Sequence, residues 1–331
     1  MSVPPWLHPL SEAFGLGTPK SLAPLQSGLI QQTWHLETQR GRFICQQLHP
    51  AFAKEVTEDA QVISQFLRNY GFPIPQYFTT ADGELHLEWE GKPLRVMDCL
   101  PGITHAKAPQ KTYLYQAGLL SGKLHQLLSN FEHQFKFQLP YFHDIKYIFQ
   151  SLQTIADDPN VEAEINFFRE TILDLFLPEN LPKQVIHGDL KLSNFLFDDQ
   201  SICTGIVDLD TFMVHNLYIE MGDALRSWCT VGNHFDLEIL AAALKGYADS
   251  EALQHLEPEL LAQGVQLIVL ELGIRYLKDY FEDCYFQWDR TAFSSRKAHN
   301  LARCHRQIAV FQSIQSQKLA FLQCIDRAFL I

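Results

Sequence analysis

The spacing of apolar residues changes character near residue 100. Upstream, Thr33 to Leu48 splits at Gln39-Arg40-Gly41 into two β-like runs, which is a hairpin signal. Val56, Ala60, Ile63, Phe66 and Leu67 then recur at helical spacing. Gly71 and Pro73 close that pattern, so a helix is predicted over 55–70. "GELHLEWE" and "PLRVMDCL" read as two more strands about Gly91-Lys92-Pro93. Beyond Pro101-Gly102 the pattern is helical, with helices predicted over 113–128, 166–176, 236–247, 257–281 and 296–316. Ala117, Gly118 and Gly122 in the first of these permit close helix packing. One β-like island, 185–210, interrupts the helical half. The expectation is an α+β chain with a β-rich part over 1–100 and a larger, mainly helical part over 101–331.

Composition narrows the class. Hydrophobic residues make up 47% and charged residues 19% of 331 residues, the balance of a soluble globular protein with a sizeable core. The net charge of -12 argues against a nucleic-acid binder, although a local basic pocket for a phosphorylated ligand is compatible with it. Seven scattered cysteines with no C-x-x-C pair read as reduced thiols, which points to the cytoplasm. The first residues lack the charged and apolar regions of a secretory signal. The apolar run "GVQLIVLELGIRYL" is interrupted by Gln266, Glu271 and Arg275 and reads as a core helix, so no membrane partner is expected. Oligomeric state stays open. "GLGTPKS" near the N-terminus lacks the spacing and preceding strand of a phosphate-binding P-loop.

Chemistry concentrates in the island, "VIHGDLKLSNFLF" followed by "GIVDLD". Asn194-Phe197 and Gly205-Asp210 form two short strands about the polar turn "DDQS". The ends of a hairpin meet, so Asn194 should lie near Asp208, with Asp189 and Lys191 on the loop just before. Phosphoryl transfer from a nucleotide needs such a set. One carboxylate positions the acceptor hydroxyl and takes its proton, and a second carboxylate with an amide oxygen holds Mg²⁺ against the phosphates. A lysine offsets charge on the transferring group.

These residues resemble the protein-kinase catalytic loop, H-R-D-x-x-x-x-N followed by D-F-G. Here His187-Gly188-Asp189 is followed by Asn194 five residues after the aspartate, and then by Asp208-Leu209-Asp210. The His-Gly-Asp form is similar to the aminoglycoside phosphotransferase and choline kinase superfamily. "HGDLKLSNFLFD", "IVDLDTFM" and "MGDALRSWC", with "YLKDYFEDCYF" and "HNLARCHRQIAVFQSI", resemble its N-acetylhexosamine 1-kinase branch from about Leu25 to Ser316. The resemblance implies a two-lobed protein-kinase-like fold with ATP and Mg²⁺ as cofactors. It implies Asp189 as catalytic base, Lys191 near the γ-phosphate, and Asn194 and Asp208 as metal ligands. Ser27 and Gly28 would cover the phosphates, and backbone from Met97 through Cys99 to Leu100 would meet adenine. Gln46 stands where many kinases carry a strand lysine, so phosphate charge would be neutralised by Mg²⁺, by loop backbone amides or by an arginine such as Arg42 or Arg95, and Glu58 is the candidate helix glutamate. The implied partner is a small hydroxyl acceptor, first an N-acetylated sugar, with aminoglycoside, choline and homoserine as alternatives.

Several residues stay open at this level. His187 is read as packing under the turn. Asp210 is a second metal contact, a substrate contact or a strand-end cap. Asp223 and Arg226 are a helical pair or a brace for the site, and His143 and Asp144 are candidates for an acceptor pocket. "DYFEDCYF" is read as core packing before a sugar platform. Two rival classes remain. A nucleotide-binding pseudokinase is motivated by Gln46. A metal-dependent hydrolase would use His187 as a transition-metal ligand.

Overall fold

The computed structural model of the chain describes residues 4–25, 31–153, 158–252 and 256–330. In chain order the first part runs α1 (Leu7–Ala13), β1 (Pro19–Leu25), β2 (Gln32–Thr38), β3 (Arg42–Gln47), α2 (Glu55–Asn69), β4 (Leu87–Trp89), β5 (Lys92–Asp98) and β6 (Ile103–Thr104). Next come α3 (Lys111–Leu128), α4 (Ile145–Ser151), α5 (Glu162–Thr171), β7 (Gln184–Ile186), β8 (Phe195–Phe197), β9 (Cys203–Ile206) and β10 (Met213–His215). The chain continues through α6 (Leu217–Cys229), β11 (Thr230–Val231), β12 (His234–Phe235), α7 (Leu237–Asp249), α8 (Pro258–Glu282), α9 (Arg296–Ser316) and α10 (Lys318–Ala328).

The residues group into two compact units. The first comprises Met1–Thr104, His133–Leu139 and Ser193–Phe212; the second comprises His105–Glu132, Pro140–Leu192 and Met213–Ile331. The β-like island is therefore divided, with β7 in the second unit and the β8–β9 hairpin in the first.

The first unit is built on an antiparallel sheet of order β1-β2-β3-β5-β4. Strand β5 shows how it is layered. Leu94 and Val96 join Trp6, Leu10 and Phe14 of the α1 region in one apolar cluster. Arg95, one residue out of phase, must face the other side, where Val56, Ala60, Ile63 and Leu67 give α2 its buried stripe. Glu55 and Glu58 in the first turn of α2 and Arg68 in its last suit the helix dipole. A second, three-stranded sheet of order β6-β8-β9 completes the unit.

The second unit is helical. Gly118 and Gly246 let α3 and α7 approach until backbone meets backbone: a Cβ at Gly118 would stand 2.1 Å from the Ala243 carbonyl oxygen, and one at Gly246 1.9 Å from that of Tyr115. Helix α8 starts at Pro258 and is buried along most of its length, packed by α6 and α9. Among the described residues four helices begin on side-chain caps, where Asp144, Asn216, Asp236 and Ser295 accept first-turn backbone N–H groups. The antiparallel pair β7–β10, in register Ile186 with Met213, leads into the His-Gly-Asp loop.

Candidate active site

The loop after β7 belongs to the second unit, and its backbone is tied down from several directions. The buried Glu220 carboxylate accepts the N–H groups of His187 and Gly188, each at 2.8 Å. The Gly188 carbonyl accepts from His143 Nε2 at 2.9 Å, and the Leu190 carbonyl accepts from the Trp228 indole at 2.7 Å. Gly188 has φ +81°, a conformation that a side chain would resist, so glycine at this position follows from the turn. Burial alone would raise the Glu220 pKa; hydrogen bonds from the His125 ring and the His187 amide outweigh it and hold the carboxyl below its ordinary range. The loop presents Asp189 with its side chain partly exposed and ion-paired to Lys191.

His187 is fully buried, and its Nδ1 accepts the Asp189 N–H at 3.3 Å. The ring packs against the turn, in keeping with the packing role read from the sequence. His143 lies below the loop. Its two ring nitrogens face only oxygen acceptors, the Gly188 carbonyl and the Glu271 carboxylate at 3.1 Å. Both nitrogens must therefore carry protons. Burial would lower its pKa, but the Glu271 charge and hydrogen bond prevail and raise it to about 9. His143 thus supports the loop backbone. Asp144 caps α4 by accepting the Tyr147 N–H. Asp223 and Arg226 pair one turn apart inside α6.

The hairpin half of the motif lies in the first unit. β8 and β9 pair Phe195 with Ile206, and the Val207 N–H donates to the Asn194 carbonyl at 2.9 Å. Asn194 and Asp208 therefore flank one hairpin mouth, as the strand pattern predicts. Asn194 is buried, and Asp208 has φ 68° and ψ 68°. Left-handed backbone at a non-glycine residue carries a cost, and aspartate bears it better than most. One amide oxygen and one carboxylate are hard oxygen donors. Among the described residues no group of three His, Cys, Asp or Glu could hold a metal ion. A donor set this small suits Mg²⁺, which takes one or two protein oxygens and completes its shell with nucleotide phosphates and water.

Asp210 belongs to neither metal nor acceptor. Its carboxylate accepts two hydrogen bonds from Arg95, both at 2.8 Å, and a third from Gln31 at 2.9 Å, all buried. Arg95 also donates to Gln46 Oε1 and to the Thr57 hydroxyl, and lies over the Tyr77 ring. Gln46 faces Arg95 across the β3–β5 ladder. Arg95 is therefore committed to Asp210 within its unit, whereas Arg42 lies exposed on β3. Glu58 pairs with Lys136, while its neighbours Thr57 and Asp59 are buried. Thr57, not Glu58, meets the strand arginine. Sequence spacing carried no signal for this Arg95–Asp210 pair, because its partners lie 115 residues apart.

Met97 is buried on β5, and Cys99 follows that strand, half-buried, its thiol pKa raised by burial. Ser27 and Gly28 lie outside the described residues.

Residues 21–256 match the phosphotransferase enzyme family, APH. The homoserine kinase of Bartonella tribocorum is 26% identical over 282 residues, spanning 81% of this chain and 84% of that protein. The homoserine kinase of Caulobacter vibrioides is 24% identical over 268 residues, spanning 79% and 83%. Among solved structures, the microcompartment-associated aminopropanol kinase superposes with a TM-score of 0.67 at 13% identity, covering 94% of this chain and 98% of that one. The amicoumacin kinase hAmiN in complex with AMP-PNP, Ca²⁺ and Ami gives 0.65 at 15% identity, covering 92% of each. At these identities the structural likeness speaks for a shared kinase-like fold.

Proposed function

The chain belongs to the phosphotransferase enzyme family, and from that premise we propose that it transfers the γ-phosphate of ATP to a hydroxyl of a small acceptor. The hairpin mouth carries this reading most directly: Asn194 and Asp208 are brought together by the Val207–Asn194 hydrogen bond, with Asp208 in left-handed backbone. These two residues would hold Mg²⁺, which neutralises charge on the phosphates as it develops. Asp189, on a loop anchored by Glu220 and His143, orients the acceptor hydroxyl and receives its proton. Lys191, paired with Asp189 in this structure, would offset charge on the transferring phosphoryl group. Backbone from Met97 through Cys99 to Leu100 takes the adenine, and the Ser27-Gly28 segment the phosphates. The structures of related fold with AMP-PNP and Ca²⁺ support a nucleotide with a divalent cation.

A hydroxylated amino acid of the homoserine type is the first acceptor to try, supported by relatives of that name over some four-fifths of the chain. The N-acetylated sugar that the motifs suggest stands second, with aminoglycosides and amino alcohols after it. The test is a coupled ADP-release assay with ATP and Mg²⁺ against this panel. Turnover on one acceptor class, absent without acceptor, supports the reading. ATP binding with no turnover on any member would favour the pseudokinase.

A further inference from the structure

Gln31 and Asp210 stand 179 residues apart in the chain, yet their side chains meet inside the first unit. Gln31 is buried just ahead of β2, and its amide is used at both ends. The oxygen accepts the His49 N–H at 2.6 Å, and the nitrogen donates to Asp210 Oδ2 at 2.9 Å. An amide can do this because it offers an acceptor and donors together, whereas a carboxylate only accepts.

Both ends of this bridge are fixed. At the first, the Leu48 N–H donates to the Pro93 carbonyl at 3.0 Å, the His49 carbonyl accepts the Phe52 N–H at 2.9 Å, and His49 Nδ1 accepts that of Ala51 at 3.2 Å. At the second, Asp210 accepts the two hydrogen bonds from Arg95 at 2.8 Å. The Asp210 carboxylate is thus gripped from β5 and from the entry to β2 at once.

This grip bears on Asp208. Asp210 lies in a short turn of 3₁₀ helix, Leu209–Thr211, that starts directly from Asp208, and Leu209 and Asp210 are both buried. On the other side, the Val207 N–H is bound to the Asn194 carbonyl at 2.9 Å. Asp208 lies between these two anchored points, and its φ of 68° and ψ of 68° carry the chain from one to the other. Left-handed backbone at a residue with a side chain persists where its surroundings over-determine it. Removing one hold on Asp210 frees the turn to relax toward negative φ.

We propose that Gln31 is a positioning residue for the metal site: with Arg95 it holds Asp210, and through Asp210 it keeps the Asp208 backbone in the conformation from which its carboxylate meets the cation. This rests on the reading of Asp208 as a metal ligand. The two holds differ in chemistry. Arg95 also neutralises a buried carboxylate, so its loss strikes stability first. Gln31 carries no charge, so its loss is read in the geometry of the turn.

The gain in nucleotide affinity that a divalent cation brings tests this, because it reports on the cation's protein ligands without requiring turnover. AMP-PNP binding to the full chain is measured by calorimetry in excess Mg²⁺ and in excess EDTA, with folding checked by thermal melting. Wild type should bind about tenfold or more tightly with Mg²⁺, and Gln31→Met and Gln31→Glu should cut that gain to about threefold or less. Their affinity in EDTA should stay within about twofold of wild type, as should both affinities in Gln32→Met, an exposed neighbour. In an Asp208→Asn background, where the gain is already reduced, Gln31→Met should have little further effect. The full Mg²⁺ gain in both Gln31 variants overturns the proposal. So does an equal loss of affinity in Mg²⁺ and in EDTA, which would place Gln31 in nucleotide binding or in the fold. A gain that falls in Asp208→Asn but survives in both Gln31 variants would leave the kinase reading standing without this inference. No gain in the wild type would sink the metal-ligand reading of Asp208 and the inference together.

Discussion

Gln46 accepts from Arg95, whose charge is paired with Asp210. That charge sits one strand over, on the residue facing Gln46 in the ladder, and it meets the loop two residues beyond Asp208. With both partners buried, Arg95→Met would strand a carboxylate and should destabilise the protein by about 3–5 kcal/mol. The double variant Arg95→Met/Asp210→Leu should recover most of that loss in urea denaturation. Single and double variants of equal stability would refute a paired role. His143 supplies a pH signature. Its pKa is raised to about 9 from an ordinary 6.5, so its stabilising contribution is complete below about 6.5 and is lost as pH rises through about 9. Thiols and phenols ionising in the unfolded chain tilt the curve the same way. The diagnostic quantity is therefore the difference between wild type and His143→Asn, chosen because asparagine tolerates the φ of 56° at this position. That difference should narrow between pH 7 and pH 10; a constant offset would mean His143 is not protonated. The Asn194–Asp208 hairpin mouth was legible in the sequence because local spacing and one hairpin bring those two residues together. The Arg95–Asp210 pair, the Glu220 anchor and the His143–Glu271 support were not, because each joins residues far apart in the chain.

At the scale of elements, periodicity reads long amphipathic segments well. The 55–70 helix, the hairpin about Gln39-Arg40-Gly41 and the 296–316 helix appear within a residue or two of where the pattern puts them. Short elements escape it. Helices α1 and α4 have seven residues each, barely two turns of pattern, and β6 has two. The small residues of α3 signalled close packing, and the structure supplies the partner, α7. Gly118→Ala is a sharp test of that contact. On an open helix face alanine would stabilise by up to about 1 kcal/mol. Against the Ala243 carbonyl it should instead cost about 1–3 kcal/mol and lower the melting temperature by several degrees. An unchanged or higher melting temperature would show that the helices are not in backbone contact.

For the whole molecule, residues 133–139 and 193–212 belong to the first unit although they follow the linear division drawn at residue 100. Their reasons are tertiary. Asp59 of α2 accepts the backbone N–H groups of Lys136 and Phe137, and β6 pairs with β8. No local pattern announces such pairings. Helix α8 is long and apolar enough to cross a membrane by composition, yet 72% of its most apolar window is buried within the protein, in keeping with a core helix. The account as a whole turns on Asp189. Single-turnover phosphoryl transfer, measured with γ-labelled ATP and the best acceptor of the panel, should fall by about 10²–10⁴-fold in Asp189→Asn while ATP affinity stays within about threefold of wild type. Transfer within a few fold of wild type would contradict the role assigned to Asp189 and, with it, the central claim.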